Sequence, residues 1–210
     1  MRPFIIPTQE IILASKCGFL TKSIWHKYFN KKCRSWAYET WLGYLNRGIF
    51  KPYGKHKDGS IVVLNRKSDL VQKLVGFDFT PPPYAYQLNH DEMVVDFVLK
   101  LYRDKKITSY FFEPELKRNP EIFGLKTTDK MPDAIVKNES FKYAIELELS
   151  KKNPKRYRQA LESYASMALI DEVYYLTNTQ NIKNQIMKTA RQIQYPSKLR
   201  PLRFTMIEAS

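Results

Sequence analysis

Three carboxylates in the second half of the chain have the spacing of a cation-binding site. Asp133 lies in the apolar segment 132–136 (PDAIV), and Glu146 and Glu148 alternate with apolar residues in 145–149 (IELEL). Because strand side chains alternate between faces, the two glutamates share one face, separated by a rise of roughly 6.6 Å. That separation suits carboxylates that share one divalent cation or hold two neighbouring ones. The alternative is an exposed edge strand whose glutamates only aid solubility.

The charge of the chain favours a polyanionic partner. Its 35 Lys and Arg against 21 Asp and Glu give a net charge of +14, as expected for binding to nucleic acid or an anionic surface. Residues 1–76 hold 14 of those basic residues and 4 of the acidic ones, a net of +10. The basic excess is therefore concentrated near the N-terminus.

The apolar runs are too short for a membrane span or a signal-peptide core, so we expect a cytoplasmic protein with no membrane insertion. Cys17 and Cys33 are too few for a zinc site and lack a secretory context, so both are expected to be buried thiols.

A triple proline at 81–83 divides the chain. Three successive prolines exclude a helix or a central strand and favour a stiff connection. The predicted organisation is a first domain at 1–78, a Pro-rich linker at 79–86 and a second domain at 87–210.

The first domain is predicted to contain three helices followed by a β-hairpin. Cap residues and apolar spacing predict helices at 9–17, 22–29 and 35–46, strands around 49–52 and 61–64, and a last short helix at 68–75.

This order of elements resembles the winged helix-turn-helix family. The resemblance implies that the third helix enters the major groove of double-stranded DNA while the hairpin, or wing, contacts the backbone or minor groove. Basic residues occupy those places; the alternative is a solvated basic loop. The candidate DNA-binding residues of this domain are Lys31, Lys32, Arg34, Arg47, Lys55, His56 and Lys57.

The second domain alternates helices with strands, which predicts an α/β (α+β) fold. A helix begins near Asn89 and continues to Tyr102, and a strand at 107–112 leads into a loop containing Pro120 and Gly124. The two acidic strands follow, and the remaining predictions are a helix at 155–167, a strand at 173–177, a helix at 181–193 and a strand at 203–207. The expected order is αβββαβαβ.

This order, with the acidic motifs, resembles the PD-(D/E)xK nuclease superfamily, whose domains have a mixed sheet flanked by helices. With a winged helix in front, the chain looks most like the replication-relaxation family, which includes relaxases that mobilise plasmids. The motifs that carry the resemblance are His90-Asp91-Glu92, Glu115-Leu116, Pro132-Asp133, and Ile145-Glu146-Leu147-Glu148 with Ser150 behind it.

The resemblance implies a Mg²⁺-dependent endonuclease, with Mn²⁺ as an alternative ion, that nicks plasmid DNA at a specific site. Asp133 and Glu146 would hold the ion, Glu148 would complete its shell or accept a proton from water, and Glu115 or Glu92 would add a further ligand. Lys155, Arg156 and Arg158 on the following helix would meet the DNA backbone, the alternative being a solvated helix face.

One position departs from the superfamily pattern. The pattern has lysine two residues after the strand acid, where this chain has Glu148. Lys151 or Lys152 is the candidate substitute cation, and a solvated start to the next helix is the alternative for both.

Two other functions fit the same sequence. One is a winged-helix regulator or accessory protein whose nuclease-like half is inactive. The other is a transposon or restriction-type endonuclease that cuts both strands, with other mobilisation or transposition proteins as partners. The scattered histidines His26, His56 and His90 do not form the three-histidine cluster of the larger relaxase class, which favours hydrolysis, and the sequence does not single out one of the 14 tyrosines as a nucleophile.

Overall fold

A computed structural model describes residues 8–29, 34–56, 59–76, 80–126, 130–167, 169–193 and 203–206. The chain divides into two compact units, Met1–Glu92 and Met93–Ser210. In the described residues it forms eight α-helices, one 3₁₀ helix and two β-sheets, a mixed α and β architecture. None of the helices described is long and apolar enough to cross a membrane.

The first unit combines helices with a small antiparallel sheet. The strand order is β1-β3-β2, with β3 paired to both neighbours. Its elements are α1 (Gln9–Cys17), β1 (Leu20–Thr21), α2 (Lys22–Tyr28), α3 (Arg34–Asn46), β2 (Phe50–His56), β3 (Gly59–Leu64) and α4 (Asp69–Val75).

Local signals explain the helix ends in this unit. Gly18 ends α1 with a φ of 88°, a conformation that glycine adopts without strain. The Thr21 side chain accepts a hydrogen bond from the Ile24 amide at 3.1 Å and so caps α2. These predicted helices are confirmed, as is the hairpin of β2 and β3. The prediction missed β1, which is only two residues long and gains its hydrogen bonds from β3.

The Pro-rich segment has no regular secondary structure at 80–84 and is tied to the first unit. Thr80 donates its amide to the Ser15 carbonyl at 2.9 Å and its hydroxyl to the Lys16 carbonyl at 2.7 Å. The Tyr53 hydroxyl donates to the Pro83 carbonyl at 3.0 Å. The segment is therefore held at both ends of its proline run.

The second unit is built on a five-stranded mixed sheet of order β4-β5-β6-β7-β8. β4, β5 and β6 are antiparallel, and β7 and β8 continue parallel to β6. Its elements are α5 (Leu88–Arg103), which begins in the first unit, β4 (Ser109–Phe112), α6 (Glu113–Arg118), a 3₁₀ helix (Pro120–Phe123), β5 (Ala134–Lys137), β6 (Lys142–Glu148), α7 (Pro154–Ser166), β7 (Glu172–Thr177), α8 (Gln180–Ala190) and β8 (Arg203–Met206).

One face of this sheet packs against α7 and α8. Ala144 of β6 and Tyr175 of β7 join Tyr157, Leu161 and other apolar residues of the two helices in a single buried cluster. β6 is the central strand, and its residues 144–148 are all buried. The acidic strand is therefore not an exposed edge strand.

The prediction was wrong between β4 and β5. The segment expected to end a strand and continue as a loop forms α6 and the 3₁₀ helix. Pro114 lies in the first turn of α6, where a missing amide costs little, and the Glu115 carboxylate accepts the Phe112 amide at 3.1 Å. A proline followed by an acid is a helix-start pattern, which the loop prediction overlooked.

Candidate active site

The end of β6 brings two acidic side chains to one side of the sheet. Glu146 and Glu148 line the same cavity of 460 Å³. β7 forms part of its wall through Tyr175, which lies opposite Glu146 in the parallel pair. The other lining residues are Lys130, which precedes β5, Lys152, which precedes α7, and Arg156, Tyr157, Gln159, Ala160 and Ser163 of α7.

Glu146 is 6% exposed and is the centre of a buried hydrogen-bond network. One oxygen of its carboxylate, Oε1, accepts hydrogen bonds from the Lys130 ammonium and from the Tyr164 hydroxyl. Lys130 Nζ also lies 3.1 Å from the Tyr164 oxygen, which closes a triangle. The Lys130 backbone is fixed by a 3.2 Å hydrogen bond from its amide to Ser163 Oγ. The loop before β5 and helix α7 thus jointly position the Lys130 ammonium at Glu146.

Burial dominates the protonation of this network. Removal from water, with the nearby Asp133 carboxylate second, raises the pKa of Glu146 from 4.5 to about 7, although Lys130 and Tyr164 act in the opposite direction. Burial, together with the Glu146 charge, also raises the pKa of Tyr164 well above its usual 10. Near neutral pH, therefore, Glu146 changes its charge while Tyr164 remains a neutral donor.

Glu148 is 5% exposed and has its own lysine. Its Oε2 lies 2.6 Å from Lys152 Nζ. Two hydrogen bonds hold the backbone of Lys152 in place. Its amide donates to the Tyr157 hydroxyl at 3.0 Å, and its carbonyl accepts from the Gln185 side chain at 2.8 Å. Of the two predicted substitute lysines, Lys152 lines the cavity, whereas Lys151 is exposed on the same turn.

Asp133 immediately precedes β5 and is tied to the neighbouring strand. Its Oδ2 accepts the Leu147 amide at 2.7 Å, between the two glutamates of β6. Its charge also contributes to the raised pKa of Glu146. The structure therefore brings Asp133, Glu146 and Glu148 to one end of the β5 and β6 pair.

The chemistry of these three residues fits a hard cation such as Mg²⁺, because carboxylate oxygens are its preferred protein ligands. Within the described residues, however, no three His, Cys, Asp or Glu side chains are grouped as a preformed metal site. The Lys130 and Lys152 ammonium groups contact the glutamates instead. An ion held here would have to replace at least part of those contacts.

Two further predicted ligands have other contacts. Glu115 caps α6 through the Phe112 amide, which is the structural role that its place at a helix start allows. Glu92 accepts a 2.6 Å hydrogen bond from the Thr21 hydroxyl within the first unit. Next to it, His90 Nδ1 lies 3.2 Å from Asp91 Oδ1.

The predicted DNA-binding residues of α7 point in different directions. Arg156 lines the cavity with the acids, and Arg158 donates to Gln192 at 3.1 Å. Lys155 is exposed in the first turn of the helix. Only Arg156 among these three is thus part of the cavity lining.

The structure describes part of the predicted DNA surface of the first unit. Arg47 just beyond α3 and Lys55 in β2 are both exposed. Arg34 begins α3 and His56 ends β2, but their side chains lie outside the description, as do residues Lys31, Lys32 and Lys57 altogether. Cys17 is a buried free thiol as predicted, and Cys33 also lies outside the described residues.

Sequence reasoning missed Lys130 and Tyr164. Lys130 precedes the Pro132-Asp133 motif, where nothing in the residue pattern marks it as a partner of a strand that follows later. Tyr164 was one of 14 tyrosines. Its spacing from Tyr157 and Leu161 on α7 places it on the buried helix face, which is a signal for burial but not for a contact with Glu146.

Comparisons with protein-family models, with curated proteins and with solved structures found no match to this chain.

Proposed function

We propose that the protein is a metal-dependent DNA endonuclease that nicks DNA, with a winged helix-turn-helix as its DNA-binding unit and a PD-(D/E)xK-like catalytic unit. The observation that carries this proposal is the cavity at the end of β6, where two buried glutamates meet two lysines and one arginine. Phosphodiester cleavage requires acidic side chains that hold a metal ion and, next to them, positively charged side chains that attract the phosphate. The motifs that resemble the replication-relaxation family supply those acids.

In this proposal Asp133, Glu146 and Glu148 hold Mg²⁺ or Mn²⁺, which when bound would polarise the scissile phosphate and lower the pKa of a water molecule. Lys130 takes the place of the lysine that the superfamily pattern has on the strand, because its ammonium already contacts Glu146. The Lys152 ammonium contacts Glu148 as that of Lys130 contacts Glu146. Arg156 attracts the substrate phosphate to the cavity.

The protonation of the two tyrosines on α7 favours attack by water rather than by a side chain. Tyr157 lines the cavity, and burial raises the pKa of its hydroxyl; the pKa of Tyr164 is raised further. Both are neutral phenols near pH 7, and a neutral phenol is a weak nucleophile. In the proposed reaction, water therefore attacks the phosphate, and neither of these two tyrosines is the nucleophile.

The first unit supports the DNA-binding half of the proposal. Its three helices are followed by a hairpin, the order on which the winged-helix resemblance rests, and β1 joins that hairpin in one sheet. Exposed Arg47 and Lys55 lie at the end of α3 and in the wing, where that mode of binding uses basic side chains.

The test is cleavage of supercoiled plasmids, one of them carrying the DNA beside this gene, with Mg²⁺ or Mn²⁺. Wild type is compared with Glu146→Gln, which keeps the shape of the side chain, and with Glu139→Gln, a matched change at an exposed glutamate. We expect open circles from wild type and Glu139→Gln but not from Glu146→Gln. A linear product would show that the protein cuts both strands rather than nicking one.

A second candidate is a DNA-binding regulator whose catalytic unit is inactive. The pairing of both buried glutamates with lysines favours it, since such a site is electrostatically balanced without a metal. Three results together would favour this regulator over the nuclease. The protein would bind DNA tightly, it would not cleave DNA, and Mn²⁺ would raise the melting temperature of wild type no more than that of Glu146→Gln.

A further inference from the structure

Two tyrosines of the first unit form an exposed stacked pair. Tyr84 and Tyr86 are 69% and 79% exposed, although large aromatic side chains are usually buried. Their ring centroids are 5.7 Å apart and the ring planes differ by 8°. Nearly parallel, solvent-exposed rings offer flat apolar faces to a planar ligand.

The pair stands on an anchored segment. Upstream, Thr80 is hydrogen-bonded to the last turn of α1, and three prolines restrict the backbone up to Tyr84. Downstream, the Gln87 amide donates to the Tyr84 carbonyl at 2.9 Å, which closes a turn directly before α5. Because the backbone of this segment is already restricted, little conformational entropy is lost when a ligand stacks on the rings.

The surroundings of the pair are basic. The Tyr53 hydroxyl bonds to the Pro83 carbonyl, which places β2 beside the segment. Lys51 and Lys55 lie two residues before and after Tyr53 on that strand, and both are exposed. The bulge between Pro52 and Gly54 puts the two lysines on opposite faces of the hairpin. Neither 50–56 nor 80–88 contains an acidic residue, and the first unit, residues 1–92, holds 14 Lys and Arg against 7 Asp and Glu, a net charge of +7.

We propose that the stacked Tyr84 and Tyr86 pair, on a unit with a basic net charge, is a binding site for unpaired bases of a single-stranded nucleic acid. Base stacking on aromatic side chains with nearby cations on the backbone is the general mode of single-strand binding. The positive surroundings distinguish this ligand from a second copy of this basic chain, which the same charge would repel. The proposal does not depend on the nuclease activity, since every residue in it belongs to the first unit.

The test is the affinity of the full chain for a short labelled oligothymidine, measured by fluorescence anisotropy. We expect Tyr84→Ala and Tyr86→Ala each to weaken binding by about 5- to 100-fold, the range found for one stacked base. Tyr84→Phe and Tyr86→Phe should each keep most of the affinity because stacking needs only the ring. Tyr102→Ala, a change at an exposed tyrosine of the second unit, is the matched control and should have little effect.

Two further measurements decide whether bases are what the rings contact. An abasic oligonucleotide should bind wild type and the double variant, Tyr84→Ala with Tyr86→Ala, equally. The double variant should lose less affinity for a duplex than for a single strand. The same loss with an oligouridine would extend the site to RNA. Unchanged single-strand affinity in the double variant, or equal losses for single strand and duplex, would overturn the proposal; because both side chains are exposed, melting curves should show that the variants fold normally.

Discussion

The two units of this protein use charge in opposite ways. In the second unit, the acids Glu146 and Glu148 are almost fully buried, and each contacts one lysine. In the first unit, three basic residues around the end of α3 and in β2, Arg47, Lys51 and Lys55, are exposed. A buried charge interacts strongly with a few specific neighbours, whereas exposed charges act together and are screened by salt.

This difference predicts how each unit responds to mutation. Changing one buried residue of the cavity should alter a pKa, a stability or a reaction by a large amount, because its partner is left in a poorly solvated place. Changing one exposed lysine should alter only a fraction of an additive attraction to DNA. Four experiments test this contrast, from the largest expected effect to the smallest.

Glu146→Gln should reduce metal-dependent nicking by about 100-fold or more, because it removes a charged ligand from the proposed ion. DNA affinity, measured by anisotropy with a duplex, should stay within about 2-fold, since duplex binding is assigned mainly to exposed residues elsewhere. Glu139→Gln should leave both properties unchanged. Nicking by Glu146→Gln at the wild-type rate would remove Glu146 from the catalytic site.

Lys130→Met should lower the free energy of unfolding by about 1–3 kcal/mol at pH 8, because it leaves the Glu146 carboxylate without its ammonium partner. The loss should be smaller at pH 5, where Glu146 is protonated. Urea titration measures both values. Lys151→Met, at an exposed lysine of the turn before α7, should cost much less; equal losses for the two variants would show that the Lys130 contact does not stabilise the fold.

The free energy of unfolding should depend on pH through Glu146. Its pKa is about 7 in the fold against an ordinary 4.5, so the folded state binds more protons than the unfolded state between those values. Stability relative to Glu146→Gln should therefore be greatest below pH 4.5, fall by up to about 3 kcal/mol as the pH rises to 7, and then level off. A parallel pair of stability curves from pH 4 to pH 8 would contradict the raised pKa.

Lys51→Gln and Lys55→Gln should have the smallest effect, a modest and additive loss of duplex affinity. If each lysine contacts one phosphate, each change should reduce the slope of log affinity against log salt by about 1. Lys73→Gln, which removes the same charge from an exposed position of α4, is the control and should leave the slope unchanged. An equal slope change in all three variants would mean that the wing makes no closer contact with DNA than the rest of the surface.

Much of the fold could be predicted because its signals are local. Gly18 and Thr21 mark helix boundaries through their own backbone and side-chain chemistry, and the apolar spacing of α5, α7 and α8 identifies their buried faces. Predictions were wrong or incomplete where the signal was short or non-local. β1 exists because β3 lies beside it, and α6, with Pro114 in its first turn, forms in a segment predicted as a loop.

The sequence predicted the acids of the candidate site, and also Lys152 and Arg156 of its lining, but not Lys130 or Tyr164. Alternation along IELEL placed Glu146 and Glu148 on one face of a strand, because that period is fixed by backbone geometry. Their burial was not predictable, since it depends on the central position of β6 and on α7 covering the sheet. The same packing raises the pKa of Glu146.

Composition and short repeats predicted the basic N-terminal third, the positions of most helices and strands, and the placement of two acids on one strand face. The partners of Glu146, in contrast, depend on tertiary packing. Lys130 reaches Glu146 from a loop before another strand, and Tyr164 reaches it from a helix that follows. Such contacts join residues distant in sequence, and their existence depends on how the sheet and α7 pack together.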